Sequence, residues 1–251
     1  MSDPIKSDAK QAGANDSDEN LENKNHRTIR SFVIRASRMS DSQRQARTDL
    51  WPQWGLELED GLLDFQTVFS REAPIVFEIG FGMGDSLATM AQNEPDKNFV
   101  GIEVHPPGIG NLLKLIKEKN ITNLRIYDTD VIEVLTQCIP PQTIDRVQIY
   151  FPDPWPKKRH HKRRLIQPKF LELLKPRMKS SSVLHVATDW QDYAEQTLEL
   201  LNNTENLVNS DPSGFVPRPE YRPLTKFEKR GIGLGYSIYD LVFLLRQARS
   251  N

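Results

Sequence analysis

The stretch Ile75-Val76-Phe77-Glu78-Ile79-Gly80-Phe81-Gly82-Met83-Gly84 decides the fold. Its first five residues are apolar except for one acid, and glycines close the run. A short apolar run with turn residues at its end reads as a buried strand. Asp85 to Gln92 then reads as a helix. Glycines at such a joint let the backbone approach a ligand and take positive φ. Their spacing is G-x-G-x-G, whereas dinucleotide-binding turns use G-x-G-x-x-G. The acid at the strand end also argues against a pyrophosphate, which would repel it. A cofactor with a cationic amino-acid end would be attracted. The plainer reading of the same residues is a tight turn between strand and helix.

Outward from this turn the pattern alternates. Strands are predicted at Phe99–Val104, Leu124–Tyr127, Arg146–Phe151, Val183–Ala187 and Tyr236–Leu245. Helices are predicted at Ile109–Lys119, Val131–Gln137, Gln167–Met178 and Tyr193–Asn202. Asp211 to Arg230, rich in proline and charge, reads as loop. Strands alternating with helices imply an α/β, doubly wound and mostly parallel sheet covered on both faces. Upstream, Ser40 followed by Gln43 reads as a capping box opening a short helix, which ends within Leu50–Gly55. Three regions are expected: an acidic, disordered tail at 1–25, a basic arm at 26–55, and the folded domain at 56–251. The arm carries Arg27, Arg30, Arg35, Arg38, Arg44 and Arg47 against the single acid Asp41.

The 251 residues suffice for one sizeable domain, and 37% hydrophobic content suffices for its core. A net charge of −1 does not announce a nucleic-acid partner, so the placement of charge matters more. The single cysteine, Cys138, rules out an internal disulfide and a thiol-rich metal site. No apolar signal core opens the chain, and the run Leu241–Leu245 is far too short to cross a bilayer. The expectation is a soluble, cytoplasmic protein with no metal and no membrane partner.

Acids recur at successive strand ends. Glu103 lies 23 residues after Gly80, where an acid in doubly wound folds accepts hydrogen bonds from ribose hydroxyls. Asp128-Thr129-Asp130 follows the next strand, and one of these residues suits an adenine amino group; spacing does not settle which. Together with Glu78 they outline a nucleoside pocket. The fourth strand runs into Phe151-Pro152-Asp153-Pro154-Trp155-Pro156, where three prolines fix φ and make a stiff loop. The alternative is a rigid surface turn with Trp155 packed beneath. Lys157-Lys158-Arg159-His160-His161-Lys162-Arg163-Arg164 follows, with six formal positive charges and no acid. A basic run is usually a solvated face. Directly after a pocket loop, in a slightly acidic chain, it points to a polyanionic substrate.

The run P-D-P-W-P-K-K-R-H-H-K-R-R, Pro152 to Arg164, resembles the signature P-D-P-W-x-K-x-R-H-x-K-R-R of bacterial tRNA (guanine-N7)-methyltransferases. The resemblance extends to R-S-F-V-I-R (Arg30 to Arg35), E-I-G-F-G-M-G (Glu78 to Gly84) and G-I-E-V-H (Gly101 to His105). It continues through A-T-D-W (Ala187 to Trp190) and R-P-L-T-K-F-E-K-R-G (Arg222 to Gly231), covering about residues 27 to 245. It implies a Rossmann-like methyltransferase sheet with an antiparallel C-terminal strand. It also implies that S-adenosylmethionine is held by Glu78, Gly80, Gly82, Glu103, Asp130 and Asp153, with Asp153 catalytic. Lys157, Asp189, Thr225, Lys226, Phe227 and Glu228 are the implied substrate contacts. Arg159, His160, His161, Lys162, Arg163 and Arg164 are the implied RNA contacts, and the implied target is the guanine at position 46 of the tRNA variable loop.

Other readings of these residues are simpler. Asp189 and Glu228 also suit helix caps or surface acids, and Thr188-Asp189 suits an N-cap. An amino-group methyltransferase would carry a D-P-P-aromatic loop, which Asp153-Pro154-Trp155 matches only in part. A non-catalytic RNA-binding relic would not need the full set of pocket acids and glycines. A dehydrogenase would need a different glycine spacing.

Overall fold

A computed structural model describes residues 31–32 and 38–246, except for the side chains of Lys226 and Phe227. The expected acidic tail and Arg27, Arg30 and Arg35 lie outside the described residues. The elements follow the alternation. Helix α1 (Asp41–Trp54) leads into a short strand β1 (Gly55–Leu56) and helix α2 (Phe65–Phe69). Then come β2 (Ile75–Ile79), α3 (Asp85–Asn93), β3 (Asn98–Ile102), α4 (Pro106–Glu118), β4 (Leu124–Tyr127), α5 (Val131–Gln137) and β5 (Ile144–Tyr150). The second half holds α6 (Pro168–Leu174), β6 (Met178–Thr188), α7 (Gln191–Asn202), β7 (Leu207–Asn209), α8 (Lys226–Gly233) and β8 (Tyr239–Leu245).

The strands form one eight-stranded sheet in the order β1-β4-β3-β2-β5-β6-β8-β7. Strands β1 to β6 pair in parallel, while β8 pairs antiparallel to β6 and β7 antiparallel to β8. Two antiparallel strands therefore end the sheet where one was expected. Alternation along β2 sends Phe77 and Ile79 to one apolar cluster and Val76 to the other, so each face has its own core.

Ser40 caps α1 as its sequence promises: its Oγ accepts the Gln43 N–H at 3.2 Å, and Gln43 Oε1 accepts the Ser40 N–H at 2.8 Å. Helix α1 packs on α4, where Gln43 Nε2 donates to Pro107 O at 3.1 Å. The expected loop over Asp211–Arg230 is corrected by α8, which begins inside it. Thr225 caps that helix, accepting the Glu228 N–H at 3.0 Å. Gly231 and Gly233 are poor helix formers, so tertiary anchoring rather than propensity sustains it.

Candidate active site

The sheet order reverses between β2 and β5, and their carboxyl ends open the crevice where doubly wound folds bind ligands. The turn after β2 takes positive φ at Gly80, Gly82 and Gly84 (76°, 58° and 78°), a region open to glycine without steric cost. A second glycine is required by close approach. At Gly108, in α4, an added Cβ would lie 2.0 Å from Gly82 O. Bare backbone thus sets the first turn of α4 against the loop.

Glu78 is only 3% exposed, and among the described residues its Oε2 has no hydrogen bond. Burial pushes its carboxyl up to about 8; the Arg146 charge opposes this and the Glu103 charge adds to it. Glu103 folds over the glycine turn, its Oε2 accepting the Gly82 N–H at 2.7 Å. Its Oε1 accepts the Val104 and His105 N–H groups at 2.7 and 3.1 Å. Burial raises its pKa while these backbone donors pull it back. At the end of β4 the three candidates separate. Asp128 pairs with Arg47, Thr129 donates to Glu133, and Asp130 caps α5 by accepting the Ile132 N–H at 3.0 Å.

The loop after β5 is bent by two aromatic residues in the left-handed region, Phe151 at φ 50° and Trp155 at φ 46°. Bulky residues adopt that conformation only when their surroundings hold them, and such strain concentrates at functional sites. Here the Phe151 N–H donates to Ala187 O at 2.7 Å, and Trp155 Nε1 donates to Ser31 O at 3.0 Å. The Arg163 guanidinium lies 4.1 Å from the Trp155 ring centroid. Between these anchors Asp153 is exposed. Register places Tyr150 beside Ala187, so Asp153 and Asp189 leave neighbouring strand ends. The N-cap of α7 is Trp190, without a side-chain bond, so Asp189 is not the cap its sequence allows.

The basic run divides. Lys158–Arg163 forms a 3-10 turn. Lys157, Lys158, Arg159 and Lys162 are exposed; His160, His161 and Arg163 are half-buried. Desolvation, then the charges of Arg159, Arg163, Lys157 and Lys162, lower the His160 pKa. Arg164 is different: its side chain is buried, donates from Nε to Pro154 O at 2.9 Å, and bonds Gln196 and Asp192. It ties the loop to α7 and is not presented to a phosphate. Glu228 is also withdrawn, 2% exposed and gripped by Arg222 through two bonds of 2.8 Å. The backbones of Lys226 and Phe227 lie in the first turn of α8.

The chain matches, over residues 72–241, a family model described as "Putative methyltransferase". It is 50% identical over 227 residues to a tRNA (guanine-N(7)-)-methyltransferase of Nitrosospira multiformis, covering 90% of this chain and 99% of that one. A protein of the same name from Idiomarina loihiensis is 53% identical over 218 residues, 86% of this chain and 89% of that one. The chain belongs to the tRNA (guanine-N7)-methyltransferase family. Solved structures of methyltransferases share the fold at low identity. The 16S rRNA methyltransferase KamB gives a TM-score of 0.55 at 14% identity, over 74% of this chain and 95% of that one. A 16S rRNA (adenine(1408)-N(1))-methyltransferase from Catenulisporales acidiphilia gives 0.51 at 15%, over 78% of this chain and 94% of that one.

Two residues escaped sequence reasoning. Gly108 gave no signal, because the approach of Gly82 O is a tertiary fact. Arg222 stood in the quoted motif without a role, and its pairing with Glu228 and Asp240 needs the fold.

Proposed function

We infer that this protein transfers a methyl group from S-adenosylmethionine to N7 of a guanine in tRNA. Relatives bearing that activity in their names match it along most of its length. One spatial observation supports the reading most. The Asp153 loop and the basic turn after it leave the sheet at the same edge as Glu78 and the glycine turn.

The crevice residues fit S-adenosylmethionine. The buried, unbonded Glu78 oxygen suits the donors of an α-ammonium group. A Cβ built on Gly80 or Gly82 meets nothing within 4 Å, so the turn borders open space. Glu103 is the acceptor for ribose hydroxyls, Asp130 for the adenine amino group, and Asp153 closes the pocket from the β5 side. Bound there, the cofactor supplies a methyl group activated by a sulfonium.

Guanine N7 carries an in-plane lone pair and no proton. As the N7–carbon bond forms and the carbon–sulfur bond breaks, positive charge moves to the guanine ring, and no base has to take a proton. The task of the protein is alignment and stabilisation of that charge. Asp153 and Asp189, on neighbouring strand ends, are the carboxylates assigned to it, by facing the ring or by gripping its N1–H and amino edge. Lys157 and the first turn of α8, Thr225–Glu228, form the acceptor side, with Glu228 withdrawn beneath it and held by Arg222. Arg159, His160, His161, Lys162 and Arg163 take the tRNA backbone, and Arg164 holds the loop. The target in this reading is guanine 46 of the variable loop. The reading sets the enzyme in the cytoplasm, which suits its lone, buried Cys138.

The test is methylation of a tRNA transcript, with 7-methylguanosine read by mass spectrometry. Asp153→Ala should lower kcat by about 10²–10³, as loss of a charge-stabilising group does, with the circular dichroism spectrum unchanged. Near-normal turnover by that variant rejects the role of Asp153. A transcript with guanine 46 replaced should stay unmodified; methylation elsewhere in it rejects the position and leaves the activity standing.

A further inference from the structure

A polar layer crosses one face of the sheet beneath the acceptor side. In register, Glu78 lies beside Gln148, Gln148 beside His185, and Ala187 beside Asp240. Asp240 Oδ1 meets His185 Nε2 at 2.8 Å, and His185 Nδ1 faces the hydroxyls of Tyr150 and Tyr221 at 3.0 and 2.9 Å. Burial lowers the His185 pKa and so favours the neutral ring. With Nε2–H given to Asp240, the Nδ1 lone pair accepts from the tyrosines.

Arg222 closes this layer. It has no exposed surface. Its Nε and Nη2 donate to the two Asp240 oxygens at 2.7 and 2.9 Å. Its Nη1 and Nη2 donate to the two Glu228 oxygens, each at 2.8 Å. Its guanidinium carbon also lies 5.7 Å from the ring centroids of both Tyr150 and Phe151. One planar fork thus joins β8, the first turn of α8 and the strained start of the Asp153 loop. Two buried carboxyl groups share a single guanidinium. Such a cluster is no better for stability than an apolar core of similar volume. What it provides is fixed geometry: a guanidinium holds two carboxylates in one plane, and an ammonium does not.

We propose that Arg222 is a positioning residue for methyl transfer. It locks the acceptor-side helix α8 to β8 and holds the left-handed turn at Phe151, so that Asp153 and Thr225–Glu228 keep one fixed relation. This rests on the function inferred above, in which those two segments handle the acceptor guanine. Arg222 touches neither cofactor nor guanine; it acts through Glu228, Asp240 and Phe151.

The experiment compares the full-length wild type with Arg222→Lys, using initial rates at saturating S-adenosylmethionine and varied tRNA. The wild type must form 7-methylguanosine; if it does not, the functional reading fails and the proposal falls with it. Given an active wild type, Arg222→Lys should bind S-adenosylmethionine as the wild type does in calorimetry. It should keep the KM for tRNA within a few-fold and lose about 10²-fold in kcat, the size of effect expected from ~1 Å of misplacement. Wild-type kcat in a folded Arg222→Lys overturns the proposal, as does a kcat loss matched by lost cofactor binding, which marks a general structural role. If Arg222→Lys does not fold, Asp240→Asn carries the test, because Arg222 then keeps Glu228 while the anchor on β8 is weakened. The same split of lost kcat with retained cofactor binding supports the proposal, and its absence overturns it.

Discussion

Glu78 is a carboxyl group that burial pushes up to about 8. In the free protein at neutral pH it therefore holds its proton. A cationic amino-acid end at the crevice favours the carboxylate, so cofactor binding should expel that proton. The apparent affinity for S-adenosylmethionine should rise as pH climbs toward about 8, by at most tenfold per pH unit, and fall again above it as the ligand's α-ammonium, ordinarily near about 7.7–8.0, loses its own proton. Calorimetry in buffers of different ionisation enthalpy reads the released proton directly. An affinity that is flat from about pH 6.5 to 9, with no proton release, defeats this assignment. Stability changes in the opposite sense. The folded state binds the proton more tightly than the unfolded chain, whose carboxyl keeps the ordinary value of 4.5. The Glu78 contribution is neutral below that value and becomes increasingly unfavourable as pH rises to about 8. Glu78→Gln should remove this slope and weaken cofactor binding at pH 8.5. The position of Glu78 was legible in the sequence because an acid ending an apolar run before glycines has few structural uses. Its protonation was not, because that depends first on burial in the folded sheet and then on Arg146 and Glu103 from elsewhere in the fold.

At the scale of elements, the loop from Phe151 to Arg164 is a stiff arch fixed at both feet. Its first foot is the Phe151 N–H on Ala187 O, at 2.7 Å. Its last is Arg164, whose Nε reaches back to Pro154 O at 2.9 Å. The sequence displayed the prolines and the charges but not this division of labour. The partners of Arg164 on α7, Asp192 and Gln196, lie 28 and 32 residues further along the chain. Glu228 misleads in the same way, since an acid in a charged stretch reads as solvated until Arg222 is seen against it. By contrast, β2, β4 and α5 were placed to the residue, because apolar runs and the acid-led turn at Asp130 are local signals. Arg164→Met keeps the apolar stem and removes the donors. We expect it to lower kcat on tRNA while the salt dependence of tRNA binding stays as in the wild type. If the slope of log affinity against log salt falls by about one unit, Arg164 meets a phosphate after all.

Over the whole molecule, charge is arranged rather than abundant. The chain carries 33 basic and 34 acidic side chains, so no global field draws in a polyanion. Among the described residues, local attraction is offered by the patch beside the crevice. With Arg164 buried, the permanent charges left there are Lys157, Lys158, Arg159, Lys162 and Arg163. Desolvation and the basic neighbours lower the His160 pKa, which disfavours a charge on that ring. Arg163, stacked on Trp155, holds its charge at the loop itself. Each phosphate neutralised releases counterions worth about 0.7–0.9 in the slope of log K against log salt. Four or five contacts from this patch should therefore give a slope of about −3 to −4.5. Combining Lys157→Ala, Lys158→Ala and Lys162→Ala should reduce that slope by about 2–3. S-adenosylmethionine affinity should be unchanged, because none of the three lysines belongs to the glycine turn or its acids. Filter binding of tRNA between about 50 and 200 mM salt, the range over which such contacts separate, reads the slope directly. A triple variant with the wild-type slope places the tRNA track elsewhere on the surface.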